Sequence, residues 1–565
     1  MRILKFILCA SFLSLLHCSG PDKASLLEYS IRPTVTDSTV MLQVQMTCKA
    51  GLNGETKLLF LNDSWGETDL HNCLHSLRSL DESSEVEVQK DSGWIIIKHP
   101  VDIKNVHLEY VLKQDTSGEL TTEKAYRPII QQNYFHVFSH SLFMIPLNYS
   151  EDKAAKFDVD IYWKDFPEAY RLQNSFGTNQ REQHIEGTSE ELFNQSVFLG
   201  GDYRSYTLNI KDNDVVFSTR GQWKTFQDST MLNVLRQTIT AQRDFWQDHS
   251  QPYFSVNLTP TVQDRGSSFQ GTGLTNSFNC TASNNEYLEL EGLVYLFNHE
   301  LQHNWTGHLI KNANEEEQYW FSEGFTDYYT NKTIARHNIH NLDKSYFITK
   351  INEIIRLLYT SPVKEAPNSE INYDNFWKSR DFEKLPYRRG ALLAFILDYT
   401  IYKDSNGQQS LDDLMLSIKE DAIKSDQRIS HDYFIKKVNQ YVEKDFSEFF
   451  KRHIEEGQLF DLEAIFNDLD LAFIPKAKVF DLGFEFSEDK TAIMSVDESS
   501  EAYAKGMRAG DKLRSRSYYH GSPDYLAEFI VVRDGKDVPI AYYPAKDADI
   551  PQLLDTVENH ERLNF

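Results

Sequence analysis

Two histidines four residues apart are the part of this sequence whose chemistry can be inferred most directly. His299 and His303 enclose Glu300 in the run HELQH. Residues at this spacing lie on one face of an α-helix, so both imidazoles can bind one metal ion while Glu300 faces the water that the ion holds. The same run also occurs by chance in buried helices, where the histidines only form hydrogen bonds. The five residues alone leave both interpretations open.

Glu323 is the expected third ligand, twenty residues beyond His303 in the aromatic segment 319–329. A carboxylate buried among aromatic side chains is costly unless it is paired or binds a metal. Two histidines and a glutamate leave a fourth zinc position free for water, which a catalytic site requires. Asp327, one helical turn later, is placed to accept a hydrogen bond from a ligand histidine. We therefore predict one Zn²⁺ per chain, with His308 as the weaker alternative to Glu323.

Three motifs together, HELQHNW, WFSEGFTDYY and YRRGALL, resemble those of the gluzincin peptidases. Within that group the chain resembles the glycyl aminopeptidase family, which is related to aminopeptidase N. The resemblance implies a thermolysin-like metal domain, peptide substrates, zinc ligation by His299, His303 and Glu323, and proton transfer by Glu300. It also implies that Tyr387 hydrogen-bonds the oxyanion formed at the attacked carbonyl. The alternative role of Tyr387 is that of a core tyrosine at the start of an apolar helix.

The segment that should hold the substrate departs from that family. Gly273, Leu274 and Thr275 stand where its members usually carry Gly-Leu-Glu, whose glutamate binds the free amino end of the peptide. The Thr275 hydroxyl cannot form the same charge-assisted hydrogen bond. We therefore expect weak recognition of the amino end, unless Asp264 or Glu289 replaces the missing acid.

The resemblance favours an aminopeptidase, with Arg388 and Arg389 as further candidates for substrate contact. One alternative is a zinc endopeptidase, or another zinc hydrolase, without amino-end recognition. The other is a catalytically silent scaffold that binds through its C-terminal domain. The acidic run 315–317 is interpreted as a solvated loop. The formal net charge of −26 argues against nucleic acid as a partner.

The start of the chain predicts export. A short basic start precedes the apolar stretch 6–16, which is the pattern of a secretory signal within residues 1–20. Cys18 then predicts a bacterial lipoprotein, held by an N-terminal lipid anchor in the periplasm or at the outer membrane. Ordinary cleavage near Gly20 is the alternative, and it would release a soluble periplasmic or extracellular enzyme. No later segment is long and apolar enough to cross a membrane.

The cysteines beyond the signal have two open interpretations. In an oxidising compartment, Cys48 and Cys73 could form a disulfide across the N-terminal sheet. Each cysteine is equally compatible with a small buried hydrophobic residue. Cys280 remains single in either case.

The pattern of apolar residues predicts a multidomain α+β protein. Alternation of apolar and polar residues in 40–46 and 106–112 indicates strands, whereas the spacing in 391–397 indicates a helix. The segment 499–513 resembles bacterial PDZ domains, which hold an extended strand or a peptide C-terminus at a sheet edge. Packing against the catalytic domain is its alternative role. The predicted order is a signal peptide (1–20), an N-terminal β-rich domain (21–211), a thermolysin-like catalytic domain (212–371), a helical domain (372–475), a PDZ-like domain (476–546) and a tail (547–565).

Overall fold

The computed structural model describes residues 27–36, 39–151 and 155–563. Contacts within the chain divide it into two units, with the boundary between Arg204 and Ser205. The predicted signal segment and Cys18 lie outside the described residues, so export and lipidation stay predictions. Among the described helices, none combines the length and the apolar character needed to span a membrane.

The first unit is built mainly from β-strands, which confirms the predicted N-terminal β-rich region. Its strands form a six-stranded sheet (order β14-β11-β1-β2-β7-β4), a four-stranded sheet (β10-β3-β6-β5) and a five-stranded sheet (β13-β12-β15-β9-β8). The strands are β1 (Leu27–Thr36), β2 (Thr39–Lys49), β3 (Glu55–Leu59), β4 (Leu74–Ser79), β5 (Glu85–Gln89), β6 (Trp94–Lys98), β7 (Asn105–Leu112), β8 (Ile129–Ile130), β9 (Tyr134–Phe138), β10 (Ile145–Pro146), β11 (Lys156–Trp163), β12 (Arg171–Asn174), β13 (Gly177–Thr178), β14 (Glu182–Thr188) and β15 (Val197–Gly201). The α-helices are α1 (Leu147–Glu151) and α2 (Ser189–Phe193).

The alternation of apolar residues explains why β2 and β7 lie in one sheet with one buried face. Leu42, Val44 and Met46 of β2 are at most 1% exposed. In the antiparallel register, Val44 is opposite Tyr110 and Met46 is opposite Leu108. Each such side chain contributes about 1.5 to 3 kcal/mol when it is fully buried. The predicted strands at these positions are therefore confirmed.

The predicted disulfide between Cys48 and Cys73 is wrong, because both thiols are free. Cys48 is opposite Val106 near the start of β7, whereas the carbonyl of Cys73 accepts from the Lys113 amide just beyond its end. Seven residues of strand separate these two points by roughly 24 Å, while a disulfide needs Cα atoms about 4.4 to 6.8 Å apart. Both cysteines are buried, as the alternative required. Burial raises the pKa of each thiol to about 12.

The second unit is mixed α and β and contains the metal-binding motif. Its strands are β16 (Arg204–Ile210), β17 (Asn213–Thr219), β18 (Tyr253–Thr261), β19 (Phe269–Leu274), β20 (Ser277–Ser283), β21 (Phe473–Ile474), β22 (Ala477–Phe480), β23 (Phe484–Phe486), β24 (Ile493–Val496), β25 (Lys512–Ser517), β26 (Ala527–Arg533), β27 (Lys536–Tyr542), β28 (Ala545–Ala548) and β29 (Gln552–Leu553). Its α-helices are α3 (Asp228–Trp246), α4 (Leu290–Gln302), α5 (Tyr319–Ser322), α6 (Gly324–Arg336), α7 (Lys344–Tyr359), α8 (Tyr373–Lys378), α9 (Arg380–Asp404), α10 (Leu411–Ser425), α11 (His431–Val438), α12 (Ser447–Phe450), α13 (Leu462–Asp468), α14 (Glu501–Ala504) and α15 (Val557–Arg562).

A five-stranded sheet in the order β16-β17-β18-β20-β19 supports the metal motif. The pairs β17 with β18 and β18 with β20 are parallel, and β19 is antiparallel to β20 at the edge. Apolar side chains of α3 and α4 share one core with this sheet. The strand β16 belongs to this sheet, although the sequence placed its residues in the N-terminal domain.

The helices α5 to α13 all contribute to one hydrophobic core, whose residues run from Trp246 to Leu563. This core includes residues on both sides of position 371. The predicted boundary between a catalytic and a helical domain therefore lies within one core. The predicted tail is also part of the fold. The β29 strand pairs with β21, and Asn352 of α7 exchanges two hydrogen bonds with the main chain of Leu553.

The segment between β22 and β28 has a small core of its own. The pair β23 and β24 and the sheet β25-β26-β27 enclose buried side chains that include Met507 and Phe529. Within the described residues 477–548, α14 is the only helix and has four residues. The PDZ-like interpretation stays a prediction.

Two glycines let α9 touch the chain around the third ligand, backbone against backbone. A Cβ on Gly390 would lie 1.9 Å from the carbonyl oxygen of Trp320, and one on Gly324 would lie 2.4 Å from the Cα of Gly390. Because both distances fall far below van der Waals contact, no other residue fits at either position without a backbone shift. The contact fixes α9 beside Glu323, which lies between α5 and α6.

Gly390→Ala should destabilise the protein, because the added methyl group overlaps main-chain atoms that cannot move as a side chain can. We expect a loss of about 3 kcal/mol in the free energy of unfolding, measured by denaturant titration. Arg380→Ala, an exposed change in the first turn of the same helix, is the control and should have little effect. Equal stability of the Gly390 variant and the wild type would contradict the close contact.

Candidate metal centre

The helix α4 carries the first two ligands because one face is apolar and the other is not. Leu293, Val294 and Phe297 are fully buried in the core shared with the sheet. His299 lies near the end of the helix. His303 follows the last residue of α4 and keeps helical backbone angles, with φ −63° and ψ −16°. Both imidazoles therefore stay on one side of a rigid element, as their spacing predicted.

Glu323 joins the two histidines from the short connection between α5 and α6. Its Oε2 lies 3.5 Å from the Nε2 of His299 and 3.6 Å from the Nε2 of His303. The two Nε2 atoms are 3.2 Å apart. These residues form the group among the described ones in which three ligand atoms could hold one metal ion. The structure thus brings the three predicted ligands together.

The geometry of these three atoms fits a zinc ion. Donors about 2.0 to 2.1 Å from a tetrahedral zinc lie about 3.3 Å from one another, close to the separations observed. The Oε2 of Glu323 is buried and has no hydrogen-bond partner among the described residues. A buried, unpartnered carboxylate oxygen costs free energy that a bound cation would remove. Two imidazole nitrogens and one carboxylate oxygen are also a donor set that zinc accepts.

The charges of the three ligands shift one another's pKa values. Burial lowers the pKa of His299, but Asp327 and Glu323 outweigh it and raise that pKa to about 10. Burial also lowers the pKa of His303, and Glu323 raises it above the usual value. Burial raises the pKa of Glu323, yet the facing imidazoles hold it well below its usual range. Glu323 is therefore ionised, which is the form that binds a metal, whereas each imidazole must lose its Nε2 proton when a metal binds.

Each histidine has a second contact that orients its ring. The Nδ1 of His299 lies 2.9 Å from the Oδ1 of Asp327, and the hydroxyl of Tyr295 donates to the same carboxylate oxygen. The Nδ1 of His303 lies 3.0 Å from the carbonyl oxygen of Thr306. An N–H donated from the Nδ1 of His303 to this carbonyl leaves the Nε2 lone pair of His303 free for the metal, while the Asp327 carboxylate faces the Nδ1 of His299 at ion-pair distance. Asp327 lies where the sequence placed it, whereas Tyr295 and the Thr306 carbonyl have no sequence signal.

Glu300 and Tyr387 flank the three ligands. Glu300 is partly exposed and lies against β19, where a Cβ on Gly271 would be 3.3 Å from its Cγ. The ring of Tyr387 stacks on that of His299, with centroids 6.0 Å apart and an angle of 12° between the planes. Burial raises the pKa of Tyr387 well above its usual value, and the charges of Glu323 and Asp327 raise it further. The phenol therefore stays protonated and able to donate.

The three predicted substrate residues of the segment 273–275 lie in different surroundings. Gly273 lies on the edge strand β19, close to the Glu300 carbonyl and the His308 ring. Leu274 is buried, and Thr275 begins the turn that leads into β20.

The two predicted arginines bind main-chain carbonyls. Arg388 donates from Nη1 to Leu357, at 3.1 Å. Arg389 is 2% exposed and donates from Nη2 to Lys364 and Ala366, at 3.1 and 2.8 Å. Arg389 therefore holds the chain after α7 in place, which is a packing role and not the predicted substrate contact.

Comparisons with known proteins identify the fold. No family profile matches the sequence. The structure is similar to the crystal structure of an aminopeptidase N family protein from Idiomarina loihiensis, with a TM-score of 0.70 and 16% identity. The match covers 95% of this chain and 99% of that one. Native yeast LTA4 hydrolase matches with a TM-score of 0.43 and 13% identity, over 77% of this chain and 68% of that one. The chain therefore has the multidomain α+β fold of the first structure.

Asp327→Asn should weaken zinc binding by about 10- to 100-fold, because the amide loses the charge that orients and polarises His299. Zinc affinity is measured by competition with a chromophoric chelator. Asp432→Asn, the same change at an exposed position of α11, should leave the affinity unchanged. If both variants bind zinc as the wild type does, the Asp327 contact has no part in holding the metal.

Proposed function

We propose that this protein is a zinc-dependent peptidase that hydrolyses peptide bonds with a glutamate general base. One observation carries the proposal. Two imidazole Nε2 atoms and the buried Oε2 of Glu323, which has no hydrogen-bond partner among the described residues, converge at separations suited to one zinc ion, and Glu300 and Tyr387 lie beside them. The fold shared with an aminopeptidase N family protein supports the same conclusion.

The residues around the ligands have complementary roles in hydrolysis. His299, His303 and Glu323 would hold a zinc ion, which would supply Lewis acidity to the scissile carbonyl and to the attacking water, whose pKa it would lower toward about 7. Glu300 accepts the proton of the attacking water at its carboxylate and returns it to the leaving nitrogen. Tyr387 donates its phenol hydrogen to the oxyanion that develops at the carbonyl. A donor of this kind contributes about 3 to 4 kcal/mol to the transition state.

The edge strand β19 offers a place for the peptide. It is the last strand of its sheet, so an extended substrate can pair with it as a further strand. Gly271 and Gly273 lie beside Glu300 and carry no side chains that would keep a substrate away from it. A peptide on this edge would run past the three ligands.

The finer assignments extend this proposal. An aminopeptidase of the glycyl aminopeptidase type is the form that the sequence motifs favour, and an endopeptidase is the alternative. We propose further that the protein is exported and held in the bacterial envelope by a lipid on Cys18. For the segment 476–546, packing against the catalytic unit is favoured over a PDZ groove, since Gly521 lies against Leu357 of α7.

Glu300→Gln should retain zinc and lose nearly all peptide hydrolysis, because an amide cannot accept the proton of water. Glu286→Gln, the same change at an exposed position shortly before α4, is the control and should remain active. Zinc content and the rate of peptide cleavage are measured on the same preparations. Full activity of the Glu300 variant would exclude it as the base.

Tyr387→Phe should lower kcat by about 100- to 1000-fold and leave KM nearly unchanged, because its hydrogen bond forms mainly in the transition state. Tyr402→Phe, in the same helix and exposed, should have wild-type kinetics. The readout is steady-state kinetics on one peptide substrate. If kcat is unchanged, Tyr387 has no catalytic role and is a core residue that packs on His299.

A further inference from the structure

The ring of Tyr387 contacts both a metal ligand and a positive charge. It stacks on the imidazole of His299, with the ring centroids 6.0 Å apart. The Nζ of Lys384 lies over the same phenol ring, 4.3 Å from its centroid. Lys384 precedes Tyr387 by three residues in α9, so the two side chains are neighbours on one face of the helix. An ammonium group is thus placed directly on the expected oxyanion donor.

The ammonium group of Lys384 is also held by a second contact. Its Nζ lies 2.6 Å from the Oε1 of Glu383, and the two side chains are 33% and 35% exposed. An ion pair with this exposure contributes little to the free energy of unfolding. The pair and the ring contact act on the same nitrogen, however, so together they restrict where the positive charge can lie.

The two arginines that follow Tyr387 are bound to main-chain carbonyls. Arg388 donates to the carbonyl of Leu357, and Arg389 donates to two carbonyls after α7. Lys384 is therefore the basic residue of this part of α9 whose nitrogen lies over the phenol ring.

Negative charges surround the phenol of Tyr387. Burial raises the pKa of Tyr387, and the charges of Glu323 and Asp327 raise it further. The same carboxylates would repel the oxyanion that the phenol has to stabilise. A cation beside the ring counteracts both effects, because it strengthens the O–H as a donor and attracts the developing negative charge.

We propose that Lys384 is a positioning residue for the oxyanion donor Tyr387, an assignment that rests on the proposed peptidase function. Its ammonium group holds the ring through a cation–π contact and supplies positive charge beside the phenol. Lys384 acts through Tyr387 and does not contact the substrate. The competing role, direct contact between Lys384 and the substrate, is separated from this one by the second experiment below.

Lys384→Met keeps the length of the side chain and removes its charge. We expect kcat for a neutral peptide to fall about tenfold with KM nearly unchanged, because the charge acts mainly in the transition state. Lys384→Arg should restore most of kcat, since a guanidinium group also binds an aromatic face. Lys424→Met, at an exposed position of α10, is the control and should have wild-type kinetics. An unchanged kcat in Lys384→Met, or an equal loss in Lys384→Arg, would overturn the assignment.

Binding of a phosphinic tripeptide, whose tetrahedral phosphinate imitates the oxyanion, tests the assignment without turnover. Titration calorimetry on the zinc-loaded proteins should show about tenfold weaker binding to Lys384→Met than to the wild type. Adding Lys384→Met to Tyr387→Phe should cause no further weakening, because the phenol through which Lys384 acts is already lost. A further tenfold weakening in that background would show direct contact with the ligand and overturn the positioning role.

Hydrolysis by the wild-type protein is measured separately. Its absence would contradict the proposed peptidase, whereas the titrations would still decide whether Lys384 acts through Tyr387.

Discussion

The buried carboxylate of Glu323, facing two imidazoles, is the constraint on which the rest of the site depends. An ionised carboxylate in such surroundings is costly unless positive charge is close. The imidazoles supply part of that charge when protonated, and a divalent cation supplies it more fully. The Oε2 of Glu323 has no hydrogen-bond partner among the described residues. The surrounding helices are thus arranged around a position that favours a cation.

The elements around this carboxylate hold it at fixed distances from its partners. The helix α4 presents both imidazoles because its apolar face is buried on the sheet. Direct backbone contact between Gly324 and Gly390 brings α9 close enough for Tyr387 to stack on His299. Beyond the ligands, Asp327 and the Thr306 carbonyl each fix one ring. Small residues and main-chain groups therefore contribute as much to the geometry of the site as the ligands themselves.

The ligands could be predicted from the sequence because metal binding requires donor residues at a strict spacing. A metal needs two imidazoles one helical turn apart and a third donor in a buried segment, and His299, His303 and Glu323 satisfy this. Strand positions in β2 and β7 were predictable for a similar reason, since one buried face requires a period of two. Local pattern was sufficient in both cases.

What the sequence could not supply depends on contacts between distant segments. Whether Cys48 and Cys73 meet is decided by which end of β7 each one adjoins, and no local pattern records that. Arg389, two residues after Tyr387, was predicted to contact the substrate, but it binds main-chain carbonyls after α7.

Anomalous diffraction at the zinc absorption edge, from crystals of the purified protein, tests the central claim most directly. The account predicts one strong peak in the second unit, about 2.0 to 2.2 Å from the Nε2 atoms of His299 and His303 and the Oε2 of Glu323. Absence of a peak from zinc-supplemented crystals would contradict it. So would a peak bound by His308 in place of Glu323.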